Sequence, residues 1–221
     1  MDPGRLAHVR WLGGGSGAGK STVAGELARR YGVEVYDTDA AMADHVRRLS
    51  PGSAPLLHRF LAMSMDERWV LRDPVEMLET FPWFAGEGFE LVVADLLARP
   101  AGRVVVVEGF RLLPRWVLPL LPGAGAGGGA GAGAVWLLPT PSFRAWAFRE
   151  RGSEGEIAGR TSDPPRALGN LLARDALFTD RLAAELAGCA PGAVVGVDGR
   201  RPLEVLVEDV AARFGLRSPA R

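Results

Sequence analysis

The nine residues Gly14-Gly15-Ser16-Gly17-Ala18-Gly19-Lys20-Ser21-Thr22 constrain this chain more than any other stretch. They fit G-x-x-x-x-G-K-[ST], the phosphate-binding loop. Glycines at this spacing let backbone N–H groups curl around an anion without Cβ clashes. A helix starting at the lysine adds partial positive charge at the same point. Lys20 is then expected to reach the β- and γ-phosphates of a nucleotide and the Ser21 hydroxyl to ligate Mg²⁺. Gly15, Ser16, Gly17, Ala18, Gly19 and Thr22 complete the expected cradle. The flanks agree with the motif. Residues 8–12 suit a buried strand, and Val23, Leu27 and Tyr31 recur every four residues with Ala24 and Ala28 beside them, as on one helix face.

Lys20 is the only lysine; the other 25 of the 26 basic residues are arginine. Isoleucine and asparagine also occur once each, as Ile157 and Asn170, which points to a GC-rich coding bias. A lysine kept against that bias marks a place where a compact ammonium is needed and a planar guanidinium is not equivalent. The 26 basic residues are balanced by 26 acidic ones, so no global field would collect nucleic acid or an anionic membrane. Cys189 is a lone cysteine and the three histidines (His8, His45, His58) are scattered, which excludes a disulfide framework and histidine or cysteine metal spacing. No run of 18 apolar residues occurs, and the opening Met1-Asp2-Pro3-Gly4 does not read as a secretory signal. The expectation is one cytoplasmic domain over residues 1–221, a monomer or homodimer.

Strands and helices alternate along the chain. Residues 33–37 read as a second strand running into Asp37-Thr38-Asp39, with Thr38 or Asp39 capping a helix over 40–48. Residues 56–98 are helical, with interruptions at Pro74 and Pro82. Residues 103–108 are the strongest strand signal, a β-branched run that demands burial on both faces. A short helix over 112–121 follows, then residues 123–134, which are only Gly and Ala and read as a flexible loop dispensable for chemistry. Strands at 134–138 and 193–198 alternate with helices at 142–151, 166–187 and 203–214. This order predicts an α/β fold, a five-stranded parallel sheet flanked by helices with right-handed crossovers, and ligands at the carboxyl ends of the strands. The glycine loop, Asp37, Glu108 and Asp198 all fall there.

Absences narrow the class of nucleotide protein. A Ras-type GTPase needs a second lysine to read guanine, and an ABC ATPase needs a glutamine-bearing signature, whereas this chain has no glutamine. The chain resembles the P-loop kinases of nucleotides and small metabolites (the adenylate, shikimate, gluconate and dephospho-coenzyme A kinases). Val35-Tyr36-Asp37-Thr38-Asp39 is similar to the D-x-D after strand 2 of shikimate and dephospho-coenzyme A kinases. Glu108-Gly109-Phe110-Arg111 is similar to the D-G-F-P-R of adenylate kinases, with Glu for Asp and no proline. The helix bearing Arg144, Arg149 and Arg151 is like the one that leads into their lid, and Asp198-Gly199-Arg200-Arg201-Pro202-Leu203 sits where these kinases pass the adenine. The likeness stops over residues 50–98, where an acceptor would be chosen.

The resemblance implies an ATP- and Mg²⁺-dependent kinase on a P-loop NTPase three-layer fold with a lid at residues 152–165. Its acceptor would be a hydroxyl of a nucleoside or nucleotide, sugar acid, antibiotic or coenzyme precursor. Asp37 or Asp39 would take the hydroxyl proton, Asp37 being slightly preferred, with the other supporting Mg²⁺ through water. Glu108 is a Mg²⁺ ligand through water, a base, or a carboxylate bonded to loop amides. Arg149, Arg151 and Arg160 are lid arginines for the phosphates, joined by Arg174-Asp175, and Asp198 lies near the adenine. Arg111 could hold an acceptor anion. Trp83 and Glu87, four residues apart, could show an acceptor one aromatic face and one carboxylate. Two rivals stay open: an NTPase coupled to a protein partner, and an ATP-binding regulatory protein.

Overall fold

A computed structural model describes residues 3–121, 133–150 and 157–217. Five parallel strands form one sheet: β1 (Val9–Gly14), β2 (Glu34–Asp37), β3 (Val105–Glu108), β4 (Ala134–Pro139) and β5 (Val194–Val197), in the order β2-β3-β1-β4-β5. Eleven α-helices are described between and after them: α1 (Lys20–Tyr31), α2 (Met42–Arg48), α3 (Pro55–Ala62), α4 (Met65–Trp69), α5 (Pro74–Thr80), α6 (Pro82–Ala85), α7 (Phe89–Leu97), α8 (Pro114–Val117), α9 (Pro141–Glu150), α10 (Pro164–Cys189) and α11 (Leu203–Arg213). This is the α/β arrangement that the alternating pattern predicts, a five-stranded parallel sheet flanked by helices.

The layers follow from strand periodicity. Val105 and Val107 of β3, Trp11 of β1 and Trp136 of β4 pack on one side with Val92, Leu96, Phe178 and Leu182 of α7 and α10. Val106, Leu12, Val135 and Leu137 point to the other side and meet Val23 and Leu27 of α1 and Val207 and Val210 of α11. All four β3 residues are buried, as a β-branched run covered on both faces must be. Trp136 satisfies its indole by donating to the Leu112 carbonyl at 2.7 Å, so β4 carries a large ring at no polar cost.

Boundaries differ from the sequence expectations in instructive places. The first strand runs on to Gly14, into the motif itself, because Gly14 lies so close to β4 that a Cβ there would strike the Leu137 carbonyl. The helical stretch over 56–98 is five separate helices. Pro55, Pro74 and Pro82 each sit at a helix start, where a missing N–H costs nothing. The expected helix over 112–121 is a single α turn followed by a 3₁₀ turn. Among the described residues no helix is long and apolar enough to cross a membrane. Residues 123–132 of the Gly/Ala stretch lie outside the described residues.

Candidate functional site: two cavities around a phosphate loop

The carboxyl ends of all five strands point to one edge of the sheet, and β1 sits where the order turns from β3 to β4. The loop after β1 therefore occupies the crevice where α/β sheets hold ligands. Gly17 (φ 74°) and Gly19 (φ 81°) take left-handed backbone, which orients the loop amides inward and starts α1 at Lys20. The Lys20 ammonium is buried and donates to the Gly15 carbonyl at 2.9 Å, so it lies back along the loop it serves.

Glu108 and Asp39 lie in the field of this ammonium, and Asp37 lies beside both. Asp37 and Glu108 are direct cross-strand partners, and Glu108 also pairs with Leu12 of β1. Burial pushes Glu108 up from the usual carboxylate range, and Asp37 and Asp39 add to this. A hydrogen bond from the Ser21 hydroxyl and the charge of Lys20 oppose it. Asp39 is likewise pushed up by desolvation in the cleft and by Asp37, and pulled down by Lys20 and Arg111. Its side chain nonetheless keeps access to solvent.

Asp37 and Asp39 divide their work differently from the sequence expectation. Asp37 Oδ1 accepts the amides of Asp39 (2.7 Å) and Ala40 (3.1 Å), closing an Asx turn. Neither Thr38 nor Asp39 caps a helix; α2 begins at Met42, and its N-cap Ala41 has no side-chain bond. The backbone turn therefore engages the slightly preferred aspartate and leaves Asp39 in the field of Lys20.

The site suits a nucleotide with Mg²⁺. Among the described residues no group of three or more His, Cys, Asp or Glu could hold a metal unaided. Mg²⁺ rarely needs one, since it is bound through one or two carboxylates with waters and substrate phosphates. Ser21 bonded to Glu108, beside two further carboxylates whose mutual repulsion a cation would relieve, fits that habit.

A cavity of about 360 Å³ opens on one side of the loop. Gly17, Gly19 and Thr22 form its floor, Phe143 and Trp146 of α9 one wall, and Val197 and Leu206 another. Trp146 is exposed on that wall and packs against Phe143 with ring centroids 5.3 Å apart. Asp198 lies at this end, where it accepts the Arg200 amide at 3.0 Å and shares a second hollow with Phe143 and Trp146. The two aromatic residues had no distinguishing sequence signal beyond lying on the helix after the fourth strand.

A second cavity, about 250 Å³, lies on the opposite side of the loop at Ser16. Its walls are aromatic residues from α3, α4, α6 and α10, with Phe81 and Phe110 from the connections. Trp83 lines it. Glu87 does not join it. Its two carboxylate oxygens accept the amides of Leu56 (2.8 Å) and Leu57 (2.7 Å), so it serves the N-terminus of α3. Arg111 is a second correction. It is 2% exposed, donates to the carbonyls of Thr38 (3.3 Å) and Gly88 (3.1 Å), and stacks 4.2 Å over Trp83. Burial lowers its pKa to about 10. With those groups engaged, Arg111 fastens the Asp37–Asp39 turn to the wall of the cavity and does not present a fork to an acceptor anion.

Arg111 continues into a buried network. It donates to His45 Nδ1 at 3.0 Å, which puts the imidazole proton on Nε2, 2.9 Å from Asp95. Tyr36 donates to the same Asp95 oxygen at 2.7 Å. Burial pushes Asp95 up, but its bonds from His45, Tyr36 and Arg48 together outweigh this and hold it at about 2. The network ties β2, α2 and α7 into one unit behind the turn.

The segment expected to form a lid, residues 152–165, is described only in part. The Arg149 side chain, Arg151 and residues 152–156 lie outside the described residues. Arg160 is exposed on a 3₁₀ turn, Ala158–Arg160, whose Ala158 is buried against Trp69 and Ala167. Arg174, read from sequence as a further lid arginine, lines the aromatic cavity instead.

No protein-family model and no curated protein matches this chain. Among solved structures it is similar to a gluconokinase from Sinorhizobium meliloti 1021, at 18% identity over 94% of this chain and 90% of that one, with a TM-score of 0.44. It is similar also to an uncharacterized protein from Eubacterium ventriosum ATCC 27560, at 12% identity over 94% and 97% of the two chains, with a TM-score of 0.46. Likenesses this distant say nothing about chemistry.

Proposed function

We propose that this chain is an ATP- and Mg²⁺-dependent kinase that transfers the γ-phosphoryl group to a hydroxyl of a small molecule. The observation that carries the proposal is the pair of cavities meeting at one phosphate loop. A nucleotide-coupled NTPase or an ATP-binding regulator needs only the cavity beside Phe143 and Trp146. A second cavity, bordering the same loop and lined in large part by the region where the acceptor would be chosen, is what a two-substrate enzyme requires.

In this reading the base of ATP lies between Trp146 and Leu206, and the loop amides and Lys20 take its phosphates. Mg²⁺, held by Ser21 and reached through water by Glu108 and Asp37, would supply charge neutralisation on the β- and γ-oxygens. Asp39 accepts the proton of the attacking hydroxyl. Its raised pKa makes it a better base than an ordinary aspartate, and it lies three residues before Met42, which lines the aromatic cavity. Arg111 and the Tyr36–His45–Asp95 network hold the turn that carries Asp39.

The test is thermal melting with Mg-ATP, followed by ADP release against a library of small alcohols. A nucleotide-dependent rise in Tm with acceptor-dependent ADP release is expected. A rise in Tm with no acceptor-dependent turnover anywhere in the library would refute the kinase.

A further inference from the structure

The aromatic cavity has a composition that discriminates between acceptors. Phe81, Phe84, Phe110 and Phe178 form a continuous wall. Phe84 stacks on Phe178 at 3.9 Å between centroids and meets Phe81 and Phe110 edge-on at 4.8 and 5.6 Å. Trp69 and Trp83 extend it. Among the residues lining the cavity the polar side chains are Ser16, Arg174 and Asp175.

Arg174 is the informative one. It is 7% exposed and lies over three of the rings, 5.3 Å from Trp69, 4.7 Å from Phe81 and 5.2 Å from Phe84. Its Nε and Nη2 both donate to Asp175 Oδ1, at 2.9 and 2.6 Å, and its buried Nη1 has no hydrogen-bond partner among the described residues. A buried guanidinium donor left without a partner is costly, and the cavity it lines is where one would arrive.

We infer that the acceptor is a flat aromatic alcohol that also carries a hydrogen-bond acceptor such as a carboxylate, nitro or carbonyl group. This rests on the kinase reading above. The ring packs against the Phe84 wall, where edge and face contacts favour another aromatic group. The acceptor group meets Arg174 Nη1, and the hydroxyl is directed past Ser16 and Met42 toward Asp39. There the hydroxyl oxygen bonds to the γ-phosphorus, the bond from that phosphorus to the β–γ bridging oxygen breaks, the proton passes to Asp39, and ADP leaves. A polyol acid of the gluconate kind is disfavoured. Its hydroxyl groups would be pressed against rings that cannot pair with them.

The experiment titrates three probes into nucleotide-free protein, read by tryptophan emission because Trp69 and Trp83 line the cavity. The probes are 4-(hydroxymethyl)benzoate, 4-methylbenzyl alcohol and gluconate, and each is then offered with Mg-ATP for ADP release. 4-(Hydroxymethyl)benzoate is expected to bind at least ~10-fold more tightly than gluconate and to drive ADP release. Arg174→Met should weaken it by about 10-fold while leaving 4-methylbenzyl alcohol unchanged. Phe84→Leu keeps an apolar side chain and should weaken both ring probes. Retention of the Mg-ATP shift in Tm shows that each variant is folded. Equal or tighter gluconate binding, no binding of either ring probe, or probe binding unchanged in both variants would overturn the inference. ADP release with gluconate alone overturns it while the kinase stands. Ring binding without ADP release from any alcohol supports the ring pocket and overturns the kinase.

Discussion

The two cavities beside the phosphate loop are made of different materials. On the side proposed for the nucleotide the groups offered are backbone amides of consecutive residues, set by left-handed glycines and one helix start. On the acceptor side they are side chains from four helices and two connections, held by Arg111 and Glu87 through bonds to distant backbone. Phosphate is the same in every nucleotide, so a contiguous motif can serve it. An acceptor needs a particular surface, and surfaces are made where segments meet.

That contrast can be tested from its strongest point downward. Lys20→Ala removes the one ammonium at the phosphates and should lower kcat by about 10³-fold, with Tm still responding to folding controls; turnover within a factor of ten of wild type would break the nucleotide side. Asp39→Asn should lower kcat by about 10²-fold, while Asp37→Asn, whose amide oxygen can still close the Asx turn, should cost much less. Equal losses would return the proton-accepting role to Asp37. Since the base works ionised and burial raises Asp39, activity in the wild type should fall as pH drops through a value above the ordinary aspartate pKa of about 3.9. That acid limb should be missing from the residual activity of Asp39→Asn.

Glu108 predicts a trade between stability and function. Its folded pKa is raised, so its contribution favours the folded state below the unfolded value of about 4.3 and is lost as pH rises through the folded value. At pH 7 the ionised group therefore opposes folding, and Glu108→Gln should raise Tm by about 2 °C or more. The gain should vanish near pH 4, and Mg-ATP should stabilise the variant less than wild type. A lower Tm at pH 7 would mean that the Ser21 bond outweighs burial. An effect on stability alone is expected of Glu87→Ala, which removes the partner of two α3 amides. A loss of about 1 kcal/mol, or 2–4 °C in Tm, is expected with acceptor KM unchanged. A KM raised tenfold at unchanged Tm would restore Glu87 to the acceptor wall.

Residue spacing carried the motif, the strands and the sheet because each is local. A glycine loop, a β-branched run such as 105–107 and a four-residue repeat such as Val23 and Leu27 announce their geometry within a few positions. Asp37 and Asp39 were legible as a pair but not as separate roles, since the division depends on which carboxylate reaches the amides of the turn. Arg111 and Glu87 were visible as charges, and charge alone does not say whether a group faces a ligand or the protein's own backbone.

By itself, then, the sequence determined the phosphate loop, the parallel sheet behind it and the carboxylates at its edge, all products of short-range stereochemistry and alternation. Only the tertiary structure decided the acceptor side. There, rings as far apart in the chain as Phe60 and Phe178 converge on one volume with a buried Arg174, because the short helices α3, α4 and α6 can bury their apolar faces only against one another and against the long α10.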